Sequence, residues 1–278
     1  VSSAELAQNI KNMRDNQRRE ERIKRRLLRG EQPISRLFPN MITIAGMCCG
    51  LSAIRFAMLD RFEISVAFII AAAIIDGMDG RVARMLGATS NFGAQLDSLS
   101  DFLCFGVSPA LVMYMWQMES VKGIGWAVVL FFSVCAALRL ARFNTALFDD
   151  NVQPWKKQFF IGVPSPAAGI LCLLPLIINL QSQSDYKLPI FITLFHVLMV
   201  GTLMASSIPT FSGKQIKIKH EWIPKFMIMF SFILVLFVIE PWLFIIALGL
   251  VYLGSIFFSV KHYNKLITTT SPMPDLHK

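Results

Sequence analysis

Charge is scarce in this 278-residue chain. Only 16% of its residues are Asp, Glu, Lys or Arg, where soluble domains carry about 25%. With 54% hydrophobic residues, 23 Phe and 14 Met, that shortage excludes an ordinary soluble domain and points to an integral membrane protein. Histidine and cysteine are sparse too. His196, His220, His262 and His277 are scattered, and the five cysteines (48, 49, 104, 135 and 172) lie in apolar stretches with no CxxC pair. A zinc site needs such ligands clustered, so zinc is disfavoured and the thiols read as buried and inert. Internal repeats are lacking. No cleavable signal is expected before the first apolar stretch, because the start is polar.

The charge that is present is unevenly placed. The formal net charge is +9, and ten of the 27 basic residues lie before position 37, most of them in KNMRDNQRREERIKRRLLRG. A nucleic-acid arm would carry aromatic interleaving or a binding motif, and neither accompanies the run. The better reading is a basic amphipathic helix on anionic cytoplasmic lipid, at about 1 kcal/mol per Lys or Arg near the surface.

Apolar stretches near the span length of about 20 residues recur at 37–59, 63–79, 97–117, 123–143, 165–181, 188–208, 223–239 and 241–259. The expected fold is therefore all-α, an integral membrane protein of about eight transmembrane helices with a basic N-terminal juxtamembrane helix. Residues 1–36 form the juxtamembrane segment, 37–260 one membrane catalytic domain, and 261–278 a cytoplasmic tail. The last two stretches are parted only by Glu240 and Pro241, so a bent hairpin or re-entrant pair stays open there. Pro164 and Pro166 suit a helix start, and Pro175 is placed to kink the fifth span.

Lys and Arg set the orientation. With the N-terminus inside, the outer loops hold only Arg61, Lys122 and Lys187. The inner side holds the basic cluster, Arg81, Arg84, Arg139, Arg142, Lys156, Lys157, Lys214, Lys217, Lys219, Lys225, Lys261 and Lys265. Both termini are thus expected in the cytoplasm. Arg55, near the outer end of the first span, can snorkel to the interface.

Against this background four aspartates stand out, in IIDGMDGRVARMLGATSNFGAQLDSLSD. Asp76 and Asp79 are three apart and Asp97 and Asp101 four apart, so each pair shares a helix face. The seventeen residues between the pairs read as a short cytoplasmic hairpin that can bring the pairs face to face. Four converging carboxylates cannot all ionise without counter-charge. Oxygen ligands select hard cations, so Mg²⁺ or Mn²⁺ is expected, as two ions about 3.5–4 Å apart. Gly80 and Ala83 continue the first face and Gly93 the second, a stripe against which a large ligand can lie close to the backbone. Arg84 can fork onto a phosphate oxygen. The bland alternative is a solvated loop whose acids decorate helix ends.

The run Asp76-x2-Asp79-Gly80-x2-Ala83-Arg84-x8-Gly93-x3-Asp97-x3-Asp101 matches, without gap or substitution, the signature of the CDP-alcohol phosphatidyltransferase family. The resemblance implies that an alcohol attacks the phosphatidyl phosphorus of a CDP-linked lipid and displaces CMP. It implies that Asp76, Asp79 and Asp97 hold the metals, while Asp101 contributes to the metal site and is the general base. It places Gly80, Ala83 and Gly93 along the nucleotide, with Asp76 and Arg84 by the diphosphate. A homodimer in the bacterial cytoplasmic (inner) membrane, with the site on the cytoplasmic face, is implied as well.

The acceptor is read from other segments. Arg139-Leu-Ala-Arg142-Phe-Asn144 and Gly162-Val-Pro-Ser-Pro-Ala-Ala168, with LFPNMITIAGMCCGLSAIRFA and SSIPTFSGK, resemble the phosphatidylserine synthase branch over most of 36–215. That implies CDP-diacylglycerol and L-serine as substrates. Arg139 and Arg142 share a helix face, where they are either a fork for an acceptor carboxylate or positive-inside anchors. Asn144 joins them in this acceptor or lipid-phosphate pocket. The rivals are the same reaction on glycerol 3-phosphate, inositol phosphate or choline, and a divalent-cation transporter, since acids near spans also mark ion pathways.

Overall fold

In the computed structural model, residues 37–88, 90–146, 159–182, 187–206, 208–211 and 222–270 are described. The expected basic helix over 1–36 lies outside them. Helix α1 spans Phe38–Ala57, with Pro39 in its first turn, where the missing N–H costs nothing. Its buried residues are Pro39, Thr43, Gly46, Gly50, Ala53 and Ala57, a single stripe of mostly small side chains at three- and four-residue spacing. Small residues let helices approach closely in lipid, and α1 forms the most extensive helix pair of the fold with α2, Phe62–Met85. Ser65 of α2 donates to the Ala53 carbonyl at 2.8 Å. On the other side, Gly50 leaves room for Cys104, whose Cα would lie 3.2 Å from a Cβ there.

The second helix continues six residues beyond its apolar stretch of 63–79, so Gly80, Ala83 and Arg84 are helical together with Asp76 and Asp79. The helix stops at Gly87, whose φ of +57° suits glycine. Gly87 N–H donates to the Arg84 carbonyl and Ala88 N–H to the Ala83 carbonyl, the paired bonds of a Schellman cap. Three residues later Ser90 caps α3, Asn91–Asp101, by accepting from the Gly93 N–H at 3.0 Å. The expected hairpin is therefore shorter than seventeen residues, because the polar ends of both spans remain helical.

From Asn91 to Trp116 the chain is one helical run long and apolar enough to cross a membrane, comprising α3, a π-helical segment Phe102–Val107 and α4, Ser108–Trp116. Pro109 cannot donate to the Phe105 carbonyl and would crowd it. The turn before it is wide: the Ser108 amide reaches back to the Leu103 carbonyl. The Ser108 hydroxyl lies 2.8 Å from that oxygen and 3.0 Å from the Gly50 carbonyl. Helix α5, Gly123–Ala146, packs on the π segment and on α8, Ile190–Ala205. Phe105, Met113, Phe132, Leu171, Leu176 and Met204 are fully buried in the core these helices form.

The fifth span is broken. Helices α6, Ser165–Cys172, and α7, Leu174–Ser182, meet at a 46° bend, as Pro175 led one to expect. Before α6, strand β1 (Phe159–Ile161) pairs antiparallel with β2 (Pro209–Phe211). The other regular elements among the described residues are helical, and the ribbon pairs the residues just before the Gly162–Ala168 segment with part of SSIPTFSGK. Helices α9, Ile223–Ile239, and α10, Pro241–Thr270, follow. Residues 261–270, expected in a tail, continue α10.

Among the described residues three helices are long and apolar enough to cross a membrane: Phe38–Ala57, Asn91–Trp116 and Gly123–Thr145. The bent pair makes a fourth. Helix α2 has 24 residues, but Glu63, Asp76, Asp79, Arg81 and Arg84 load it with charge, and α8 is a shorter apolar helix. Helix α9 exposes Met227, Ile228, Phe232, Val238 and Ile239, a surface fit for hydrocarbon.

Candidate active site

The Schellman turn and the Ser90 cap reverse the chain between α2 and α3, both of which pack on α1, and so bring Asp97 within reach of Asp76 and Asp79. One carboxylate oxygen from each of Asp76, Asp79 and Asp97 lies within 4.8 Å of the others. Asp79 is only 5% exposed, and its Oδ2 accepts a 2.7 Å hydrogen bond from the Thr43 hydroxyl of α1. Three carboxylates this close repel unless a cation or proton lies among them. An all-oxygen donor set of this kind fits a hard divalent cation, so the residues present suit a metal.

Asp101 stands against Asp76, within hydrogen-bonding reach of its carboxyl. Its Oδ1 is buried with no hydrogen-bond partner among the described residues. Arg139 acts electrostatically on both Asp101 and Asp76. Its guanidinium donates to the Ser165 hydroxyl, while its Nε is likewise buried and unpartnered. An acceptor oxygen and a donor nitrogen thus remain unsatisfied, among the described residues, beside the carboxylate cluster.

On the other side of Asp79 and Asp97 opens a cleft of about 230 Å³. Gly80, Ala83 and Arg84 line it from α2 and Gly93 from α3, so the four small or forked positions read from the sequence share one cleft. Gly93 is needed there for space: a Cβ would come 3.0 Å from Asn40 Oδ1 and 3.2 Å from Ser90 Oγ. Pro39, Asn40 and Thr43 close the cleft from α1.

Arg142 and Asn144 point elsewhere. The Arg142 guanidinium donates to the Ala205 carbonyl at the end of α8, a favourable place for a cation at a helix C-terminus. Asn144 exchanges hydrogen bonds with Ser98 at 3.1 and 3.2 Å, tying α5 to α3 next to Asp97. The shared helix face of Arg139 and Arg142 therefore does not become one fork.

Over residues 36–205 the chain matches the family model described as CDP-alcohol phosphatidyltransferase. The chain belongs to the CDP-alcohol phosphatidyltransferase family. It is 36% identical over 243 residues to the CDP-diacylglycerol–serine O-phosphatidyltransferase of Mycobacterium leprae, covering 87% of this chain and 80% of that one. The protein of the same name from Helicobacter pylori is 37% identical over 172 residues, 60% of this chain and 70% of its own. That of Bacillus subtilis is 38% identical over 135 residues, 49% and 72%.

Residues outside the aspartate run also meet the cluster and its cleft: Asn40 and Thr43 line the cleft, and Ser165 accepts from Arg139. Thr43, Asn40 and Ser165 were not read as functional from the sequence. The one signal for Thr43 was a hydroxyl at helical spacing in a stripe of glycine and alanine. What it bonds depends on α1 lying against α2, which spacing within α1 does not encode.

Proposed function

We propose that the chain transfers the phosphatidyl group of CDP-diacylglycerol to the hydroxyl of L-serine, giving phosphatidylserine and CMP. The observation that carries this reading is the pair Asp101 Oδ1 and Arg139 Nε, buried and unpartnered beside the carboxylate cluster. An amino-acid alcohol supplies both missing partners, a hydroxyl for Asp101 and a carboxylate for Arg139. Arginine is suited to that carboxylate by its planar fork. The names of the relatives favour the same acceptor.

In this reading Asp101 takes the serine hydroxyl proton, which a weak nucleophile needs at neutral pH. The serine oxygen bonds to the phosphatidyl phosphorus as the bond from phosphorus to the CMP oxygen breaks, and CMP departs with the electron pair. Gly80, Ala83 and Gly93 admit the cytidine nucleotide, and Arg84 and Asp76 lie by its diphosphate. Asp76, Asp79 and Asp97 would hold the divalent metal, Mg²⁺ or Mn²⁺ as two ions with Asp101 completing the set. When bound, the metal supplies charge neutralisation for the diphosphate and the leaving CMP. Arg142 and Asn144 frame the acceptor pocket by fixing α8 and α3 around Arg139.

The finer membrane arrangement belongs to the same proposal. Eight spans, a basic helix over 1–36 on anionic lipid, and a homodimer in the bacterial cytoplasmic membrane accord with the Lys and Arg distribution and with the family. The site then faces the cytoplasm, where soluble serine meets the lipid head. A divalent-cation transporter is not favoured, because the family match is to a phosphatidyltransferase.

CMP release by the purified protein with CDP-diacylglycerol, against a panel of serine, glycerol 3-phosphate, inositol phosphate and choline, tests the reading. Release with serine alone is expected. Turnover of another alcohol while serine stays inert overturns the acceptor, and vesicle cation flux without CMP release overturns the reaction.

A further inference from the structure

Thr43 occupies the point where the two aspartate-bearing helices meet α1. It is only 6% exposed, in a stripe whose neighbours Gly46 and Gly50 offer no side-chain polar atom. Its hydroxyl donates to Asp79 Oδ2 at 2.7 Å. The competing acceptor, the Pro39 carbonyl one turn back in its own helix, is at 3.2 Å. A hydroxyl has one proton, and the shorter bond to a carboxylate is the stronger. The Thr43 carbonyl in turn receives a long contact, 3.5 Å, from Ser100 Oγ of α3. One residue of α1 therefore touches α2 at Asp79 and α3 beside Asp101.

That geometry has a consequence for the carboxylate. Asp79 is buried on α2, with carboxylate oxygens of Asp76 and Asp97 within 4.8 Å of its own. With Oδ2 held by an outside donor, the carboxylate keeps one orientation before any cation arrives. Groups that hydrogen-bond metal-ligating carboxylates set ligand orientation, and their loss costs about 10–100-fold in metal affinity. We propose that Thr43 is a positioning residue for the metal site, its hydroxyl locking Asp79 so that the three carboxylates present a preformed divalent-cation site. Thr43 also lines the nucleotide cleft, so the same side chain joins the metal side of the site to the substrate side. The inference rests on the reading of Asp76, Asp79 and Asp97 as metal ligands.

The test is Mn²⁺ binding to the full chain in detergent, followed by electron paramagnetic resonance of free Mn²⁺, on wild type, Thr43→Val, Thr43→Ala and Thr43→Ser. Val keeps the branched shape without the hydroxyl, Ala removes the hydroxyl with less bulk, and Ser keeps the hydroxyl. The expected result is Mn²⁺ binding weakened about 10–100-fold in both Val and Ala and near wild type in Ser. The Mn²⁺ concentration that half-saturates CMP release should move in parallel. Wild-type affinity in either hydroxyl-lacking variant overturns the role of Thr43, as does a loss in Ser equal to that in Val. A wild-type chain that binds no Mn²⁺ overturns the metal reading itself. Binding without CMP release leaves the site and its positioning residue standing and removes the transferase.

Discussion

His196 Nε2 lies 2.8 Å from the Leu171 carbonyl oxygen, the oxygen that Pro175 leaves without its helical partner. A proline has no N–H for the carbonyl four residues back, and in a membrane an orphaned carbonyl is expensive. Since a carbonyl only accepts, Nε2 carries the hydrogen. The bend between α6 and α7 is thus sealed by a side chain from α8. His196→Leu should cost about 1–3 kcal/mol in thermal unfolding in detergent. Combining His196→Leu with Pro175→Ala should recover part of that loss, because an alanine there restores an N–H for the Leu171 carbonyl.

Asp101→Asn is expected to lower serine-dependent CMP release by about 10²–10⁴-fold, the usual contribution of a positioned base. Binding of CDP-diacylglycerol, measured by equilibrium dialysis, should persist. Near-normal turnover would remove Asp101 from the base role.

Gly93→Ala puts a Cβ 3.0 Å from Asn40 Oδ1 and 3.2 Å from Ser90 Oγ, at the wall of the cleft. Crowding of this kind costs about 1–3 kcal/mol. The KM for CDP-diacylglycerol should rise about tenfold, which is about 1.4 kcal/mol, with a smaller change in the KM for serine. Steady-state kinetics with each substrate varied in turn makes the comparison.

Arg139→Lys keeps the charge near Asp101 but loses the fork. The KM for serine should rise while the KM for CDP-diacylglycerol holds. An unchanged serine KM would move Arg139 out of the acceptor pocket and leave it as a clamp on Ser165.

Chelation of divalent cations should abolish CMP release and lower the melting temperature. Mn²⁺ at about 100 times its Kd should add roughly 2.7 kcal/mol of stability. In Asp97→Asn, which removes one of the three converging carboxylates, that stabilisation should shrink markedly in a melting assay with and without Mn²⁺.

The apolar stretches were legible because hydrophobic span length is a local property, and the starts of α1, α5 and the bent pair lie near where those stretches begin. Helix ends were less legible. Hydropathy falls at Asp76, yet α2 runs to Met85 because the polar residues of a helix need only reach the headgroup layer. The charge of α2 is itself the site, so the residues that announce the family also make its helix look least like a span. The π segment and the strand ribbon carry no periodic signal of their own. Pro109 and Gly162 mark them, but what they accommodate lies on other helices.

By itself the sequence determined the reaction class, since eight spaced positions from Asp76 to Asp101 encode two helix faces and the chemistry on them. It also determined that the chain is apolar enough for a membrane. Only the tertiary structure decided which distant groups meet. Thr43 on Asp79, Arg139 near Asp101, Arg142 on Ala205 and Asn144 on Ser98 are separated by 36 to 63 residues. The direction in which a side chain points across a helix–helix contact is set by the packing partner, and no spacing along one helix contains it.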